Sequence, residues 1–157
     1  MKLEHRCLVP ASRDAAWELL LDVPRVAPCI PGLKEIAPDG PDRYRAALQA
    51  RVGPMSFNLT GTIQVLGQDR AKGEARFLVD AQERRVGGSV RADLTVQLNS
   101  HPSSAQRPEQ TELVILTDAA FLGRLGELGQ PVIRRKASAT VQEFADNLAQ
   151  LLGRSSA

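Results

Sequence analysis

The sequence predicts an α+β fold: a curved antiparallel sheet of about seven strands wrapped around one long C-terminal helix, with two short helices after the first strand. Three observations lead there. From Lys34 to Phe121 apolar and polar residues alternate with period two, the pattern of antiparallel strands that cover a core with one face. From Ile133 to Leu151 apolar residues recur at threes and fours, a helical stripe. Between the first strand and the alternating region lies "VPRVAPCIPGLKE", residues 23–35, whose three prolines cut any helix short.

Residues 2–9, "KLEHRCLV", alternate weakly and stop at Pro10, as a strand and its exit do. Ser12 is placed as an N-cap, with Asp14 in the first turn where the helix dipole favours an acid. Trp17, Leu20 and Leu21 then mark an amphipathic helix over 13–22. It ends before Pro24, because the residue preceding proline avoids the helical region. Pro24 suits the first turn of a second short helix with Val26, Ile30 and Leu33 on one side, and Pro31-Gly32 turns the chain.

The clearest strand is "MSFNLTGTIQV", where Met55, Phe57, Leu59, Ile63 and Val65 alternate with Ser56, Asn58, Thr60, Thr62 and Gln64. "EARFLVDA", "GSVRADLTVQL" and "TELVILTDAAF" repeat the theme. Turns fall at Asp39-Gly40-Pro41, Gly53-Pro54, 69–73 and Gly87-Gly88, and 100–108 reads as a hairpin loop. The last helix is expected to span 125–152, with Pro131 in a first turn or at a kink and Gly153 as its cap. The 157 residues form one domain, assigned to 1–153, with 154–157 as a short tail.

A net charge of +2 leaves no strong field, which argues against nucleic acid as the main partner. The one basic run, Arg134-Arg135-Lys136, spreads over several faces of a helix and reads as solvated. The start lacks a secretory h-region, and no apolar run reaches the ~20 residues of a membrane span. A cytoplasmic location is expected, with Cys7 and Cys29 as reduced core residues and Asn58-Leu59-Thr60 as a chance glycosylation triplet.

No metal-ligand spacing or Ser-His-Asp arrangement is visible, and His5 and His101 read as surface histidines. The acids are expected at outward positions. "GRLGELG", residues 123–129, lacks the spacing and lysine of a phosphate loop; its glycines fit close packing at the helix start, and a gap there suits a tunnel mouth. Inward positions are small, with Ala75, Ala81, Ala92, Ala119 and Gly61 among them, which suits a space under the helix; a solid core stays open on composition. Polar groups facing inward are few: Thr117 and Thr140, with Tyr44 or Gln130 at a rim.

Three stretches resemble the carbon monoxide dehydrogenase G-subunit (CoxG-like) family of the START/Bet v1-like (SRPBCC) ligand-binding superfamily. The first, "VPASRDAAWELLLDVPRVAPCIPGLKEI", carries Val9-Pro10-Ala11, Trp17 and Cys29-Ile30-Pro31-Gly32; the others are "RVGPMSFNLTGTIQV" and "LGRLGELGQPVIRRKASATVQEFADNL". The resemblance implies a helix-grip fold with a hydrophobic tunnel and no covalently bound cofactor. It further implies a non-enzymatic carrier of a quinone or lipid-like ligand that accompanies a molybdenum hydroxylase. Peripheral contact with the inner membrane face is implied as well. Some members carry a C-terminal extension for membrane attachment, and the sequence departs from that pattern after Ala157.

Alternation and helix spacing give the expected lining: Ile30, Phe57, Leu59, Phe77, Val79, Val90, Leu94, Ile115, Thr117, Phe121, Leu128 and Val132. Two alternatives stand beside the carrier. One is a polyketide cyclase or aromatase-like enzyme, which needs Tyr44, Thr117 or Thr140 to converge with an acid or base. The other is an assembly factor with a filled core and no pocket.

Overall fold

The structure, a computed structural model, describes residues 1–101 and 109–155. In chain order the elements are β1 (Lys2–Val9), α1 (Arg13–Leu21), α2 (Val23–Val26), a 3-10 turn (Ala27–Cys29), β2 (Leu33–Pro38), β3 (Arg43–Val52) and β4 (Met55–Asp69). There follow β5 (Glu74–Gln82), β6 (Gly88–His101), β7 (Gln110–Gly123), a second 3-10 turn (Gly126–Leu128) and α3 (Gln130–Ser155). The strands form one antiparallel sheet in the order β1-β7-β6-β5-β4-β3-β2. Successive hairpins build β2 to β7, and β1 returns to pair with β7 from Lys2↔Asp118 to Val9↔Thr111.

The register lines up inward side chains in rows across the sheet. One row runs Ile63, Val79, Ala92, Ala119; the next runs Phe77, Leu94, Thr117, Leu3; a third runs Val96, Ile115, His5. Register shifts between Val65 and Gly67, and between Leu33 and Glu35, interrupt the ladder as bulges that bend a strand. At Gly61 a Cβ would lie 1.9 Å from the Asp80 carbonyl oxygen and 2.6 Å from Ala81 Cα, so only glycine permits that approach of β4 to β5.

Ser12 caps α1: its Oγ accepts from the Ala15 N–H at 3.1 Å. The helix buries Ala16, Trp17, Leu19 and Leu20. Its polar side meets the β4–β5 turn, where Arg70 pairs with Glu18 at 2.5 Å and Asp14 at 3.8 Å, and Arg13 donates to the Ala71 carbonyl at 2.7 Å. These exposed contacts orient the turn more than they stabilise the fold. The proline-rich stretch forms two successive short helical pieces, with Pro24 and Pro28 each in a first turn where a missing N–H costs nothing. Cys29 is buried and Cys7 half-buried, and burial pushes both thiols up, Asp146 and Glu112 adding to the effect at Cys7.

Three expectations are revised. The last helix starts later: Gly129, at φ 85°, breaks the chain after the second 3-10 turn, and Pro131 falls in the first turn of α3. It also ends later, through Ser155, because Gly153 keeps a helical backbone instead of the left-handed one that ends a helix. Residues 154–155 thus belong to α3, and residues 102–108 of the expected hairpin loop lie outside the described residues. The third revision is Glu83, an acid that is 2 % exposed.

Glu83 sits between β5 and the β5–β6 turn. Its Oε1 accepts from the N–H groups of Arg85 at 2.7 Å and Val86 at 3.4 Å, and its Oε2 accepts from the N–H of Asn58. One carboxylate thereby satisfies three backbone donors and ties the turn to the start of β4. Burial alone pushes its carboxyl up; the three backbone donors and the nearby Arg85 outweigh it and hold the group below its ordinary value. Stability from this group is therefore complete above the ordinary carboxylate range and lost as pH falls through the depressed folded value. Glu83→Gln, which turns an amide N–H2 toward backbone donors, is expected to lower stability by about 1–3 kcal/mol at pH 7. The gap from wild type should close on acidification, as read by denaturant titration at several pH values.

Candidate ligand-binding cavity

The concave face of the sheet and α3 do not meet flush. Between them lies a cavity of about 400 Å3, inside the range of small-molecule sites. Ala92 and Ala119 face each other across β6 and β7 and both line it, so the floor is low where a larger pair would fill the space. The helix side comes from Ala137, Thr140, Val141 and Phe144, one stripe of α3 spaced by threes and fours. Leu20, Val23, Val26, Ile30 and Pro31 close the third side, from α1 through the proline-rich turns. Asn147 of α3 ties this lid down by donating to the Cys29 carbonyl at 3.1 Å.

Of the 23 lining residues among those described, only His5, Thr117 and Thr140 carry polar side-chain atoms, and none is an acid, lysine or arginine. The wall therefore selects for apolar surface and offers a few directional hydrogen bonds. Among the described residues no cluster of His, Cys, Asp and Glu is arranged to hold a metal ion.

A second compartment of about 150 Å3 lies toward the start of α3, and it shares Val90, Phe121 and Ala137 with the first. Val52, Leu128 and Lys136 are shared in turn between this compartment and an outer cleft beside the β3–β4 turn. The spaces thus form a file from the interior to the surface, with Phe121 and Leu128 at the two partitions. "GRLGELG" builds this end of the molecule.

Of the residues expected to line the cavity, Ile30, Phe77, Val79, Val90, Leu94, Ile115, Thr117 and Phe121 border the main space. Phe57, Leu59 and Leu128 border the second compartment. Val132 borders neither and faces the outer cleft. Ile133, one position and about 100° further round the helix, heads the inward stripe expected from the sequence and borders the second compartment. Tyr44 and Gln130 lie on neither inner wall.

His5, which the sequence places on the surface, is part of the cavity wall. Its position could have revealed this, since it shares the inward parity of β1 with Leu3; the neighbouring Glu4 and Arg6 mask the weak alternation. Thr117 and Thr140 join it on the wall, so the polar groups gather where β1, β7 and α3 come together. The filled-core alternative predicted no pocket, and the cavity removes its premise.

The sequence matches the carbon monoxide dehydrogenase G-subunit (CoxG) family over residues 6–153. The chain belongs to that family. No curated protein sequence matches it. Among solved structures, the CoxG-family chain is similar to a conserved protein from Geobacillus kaustophilus, with 21 % identity, a TM-score of 0.85, and coverage of 99 % of this chain and 97 % of that one. A START superfamily protein from Mycobacterium smegmatis gives 14 % identity and a TM-score of 0.69, covering 98 % and 97 %. The Zhui aromatase/cyclase from Streptomyces sp. R1128 gives 20 % identity and a TM-score of 0.56, covering 99 % and 93 %. The fold is START/Bet v1-like, and with the CoxG family it supports a hydrophobic-ligand-binding role.

Ala92→Leu tests whether this space is what receives a ligand. Added to a filled core, the larger side chain costs about 1–3 kcal/mol. In an open cavity it has room, so the melting temperature is expected to hold or rise while uptake of an apolar fluorescent dye falls sharply.

Proposed function

We propose that this CoxG-family protein is a non-enzymatic carrier that takes a quinone-like lipid from a membrane and serves a molybdenum hydroxylase of the carbon monoxide dehydrogenase type. The observation that carries the reading is the cavity wall, apolar except for three side chains and free of fixed charge. Each 100 Å2 of tail buried there contributes roughly 2.5 kcal/mol, so an isoprenoid chain gains affinity without any charged contact. The family relationship supports the partner enzyme. A membrane-derived ligand also accounts for the file of compartments that leads outward past Phe121 and Leu128.

The surface around the outer cleft supports peripheral membrane contact. Met55, Val86 and Leu122 stand exposed at its turns, Leu122 at 63 %. Segments 51–55, 84–87 and 122–136 carry seven basic side chains and one acid, Glu127, against twenty basic and eighteen acidic residues in the whole chain. Apolar tips set among Arg51, Arg85, Arg124 and Arg135 match the boundary of an anionic bilayer. No helix among the described residues is long and apolar enough to cross a membrane.

A cyclase-like reading draws on the likeness to the Zhui aromatase/cyclase and on the convergence of His5, Thr117 and Thr140 in one cavity. Conversion of a poly-β-ketone analogue by the purified protein, abolished in Thr117→Val, is the result that would favour it.

For the carrier, organic extracts of protein purified without detergent are expected to contain a lipophilic quinone or related lipid by mass spectrometry. Added quinone should raise the melting temperature. Neither signal appearing sinks the reading. Arg85→Glu combined with Arg135→Glu is expected to weaken binding to vesicles containing anionic lipid by at least about tenfold, at about 1 kcal/mol per basic residue near the surface. Binding should also fall with added salt, as read by vesicle co-sedimentation.

A further inference from the structure

His5 has one nitrogen accounted for and one that is not. Nε2 lies 3.3 Å from the Ser138 Oγ, and Ser138 is exposed on α3. Nδ1 is buried and has no hydrogen-bond partner among the described residues. Buried polar atoms are almost always paired, so an orphan ring nitrogen on a cavity-lining residue calls for a partner. A residue needed only for packing at this place, between Leu3 and Cys7 on the inward side of β1, has no use for a second ring nitrogen.

The neighbours point the same way. His5 stands opposite Ile115 on β7, and Thr117, two residues on, lies diagonally across from it on the same face of the sheet. Thr140 reaches the cavity from α3, where its hydroxyl donates to the Lys136 carbonyl at 2.8 Å and keeps its oxygen lone pairs for another donor. Along β7, Ile115 and Phe121 are six residues apart, about 20 Å of strand. His5 therefore sits about that far from Phe121, with Thr117 and then Ala119 between them along the cavity face of β7.

We propose that His5 is the residue that recognises the ligand's head group, its Nδ1 hydrogen-bonding an oxygen on the ring of an apolar-tailed molecule while the tail runs toward Phe121. This rests on the carrier reading and adds its specificity. Ser138 makes the site serve two forms of one head. When the Ser138 hydroxyl donates to Nε2, Nδ1 carries the proton and donates to a ring carbonyl. When Nε2–H donates to Ser138, Nδ1 accepts from a ring hydroxyl. The same imidazole thus holds the keto and the hydroxy form of a head group with a change of tautomer and no movement of the chain.

The test uses the full chain and two probes: a naphthoquinone with a four-isoprene tail, and a naphthalene with the same tail and no oxygen. Affinities are read by displacement of a polarity-sensitive fluorescent dye. Wild type is expected to prefer the naphthoquinone by about tenfold, the size of one buried hydrogen bond. His5→Phe should lose that preference while holding the oxygen-free probe within about twofold, and His5→Gln should restore part of it. Full preference in His5→Phe, or none in wild type, overturns the role of His5 and leaves the carrier reading standing. Binding of neither probe by wild type overturns the carrier reading itself. If His5→Phe does not fold, the 15N resonance of Nδ1 in the wild type decides: it should move on adding the naphthoquinone and not the naphthalene, and no movement with either overturns the proposal.

Discussion

The structure depends on a mismatch between one curved sheet and one helix. Backbone hydrogen bonding commits seven strands to a continuous ladder, and the ladder gives all of them a common dry face. A single helix, α3, is the only element long enough to cover that face, and a rod cannot fill the hollow of a bent sheet. Where the facing side chains are large and meet, as at Leu98 and Leu148, the gap closes and they are almost fully buried. Where they are Ala92 and Ala119, it stays open.

An open interior costs stability, because lining atoms lose dispersion contacts on the cavity side. The rest of the molecule is arranged to tolerate this. A compact cluster of Val9, Ala16, Leu19, Leu98, Leu113 and Leu148, with exposures of 0–1 %, packs one end of the grip. The prolines at 24 and 28 set short helical pieces in place with little chain entropy left to lose, and Asn147 holds their carbonyl end to α3. A ligand that binds only the folded state returns stability in proportion to its occupancy, so the cavity and its guest are linked thermodynamically as well as sterically.

Polar groups are rare inside this protein, and two of them define its ends. Glu83 is spent on backbone donors and fixes the β5–β6 turn, whose Arg85 donates to the Ser56 carbonyl near the β3–β4 turn. His5 lies deeper, with one nitrogen directed to an exposed serine and the other left over. Apart from His5, Thr117 and Thr140, the described wall of the main space is hydrocarbon. On the proposed function this gives the cavity a direction, from the outer cleft inward to the end where His5, Thr117 and Thr140 gather.

Hydropathy period carried the strands, the final helix and the proline-broken bracket, because each is a local pattern that survives in one dimension. Parity along β5, β6 and β7 likewise carried Phe77, Val79, Leu94, Ile115 and Thr117 to the cavity wall, since a strand's period of two leaves no choice of face. The helix ends were less legible. Whether Gly129 or Gly153 breaks α3 depends on which takes the left-handed backbone, and packing decides that. Val132 failed because it lies about 100° round the helix from the stripe of Ile133, Ala137 and Thr140 that faces the sheet. Glu83 was invisible as an interior group for a different reason, and His5 showed only through its shared parity with Leu3. Their partners are Asn58, Arg85, Val86 and Ser138, up to 133 residues away, and the worth of a polar side chain is set by what surrounds it. The sequence by itself determined the sheet, the helix and an apolar interior built from small residues. Only the tertiary structure decided that the interior stays open, because a void is a relation between surfaces brought together from distant parts of the chain.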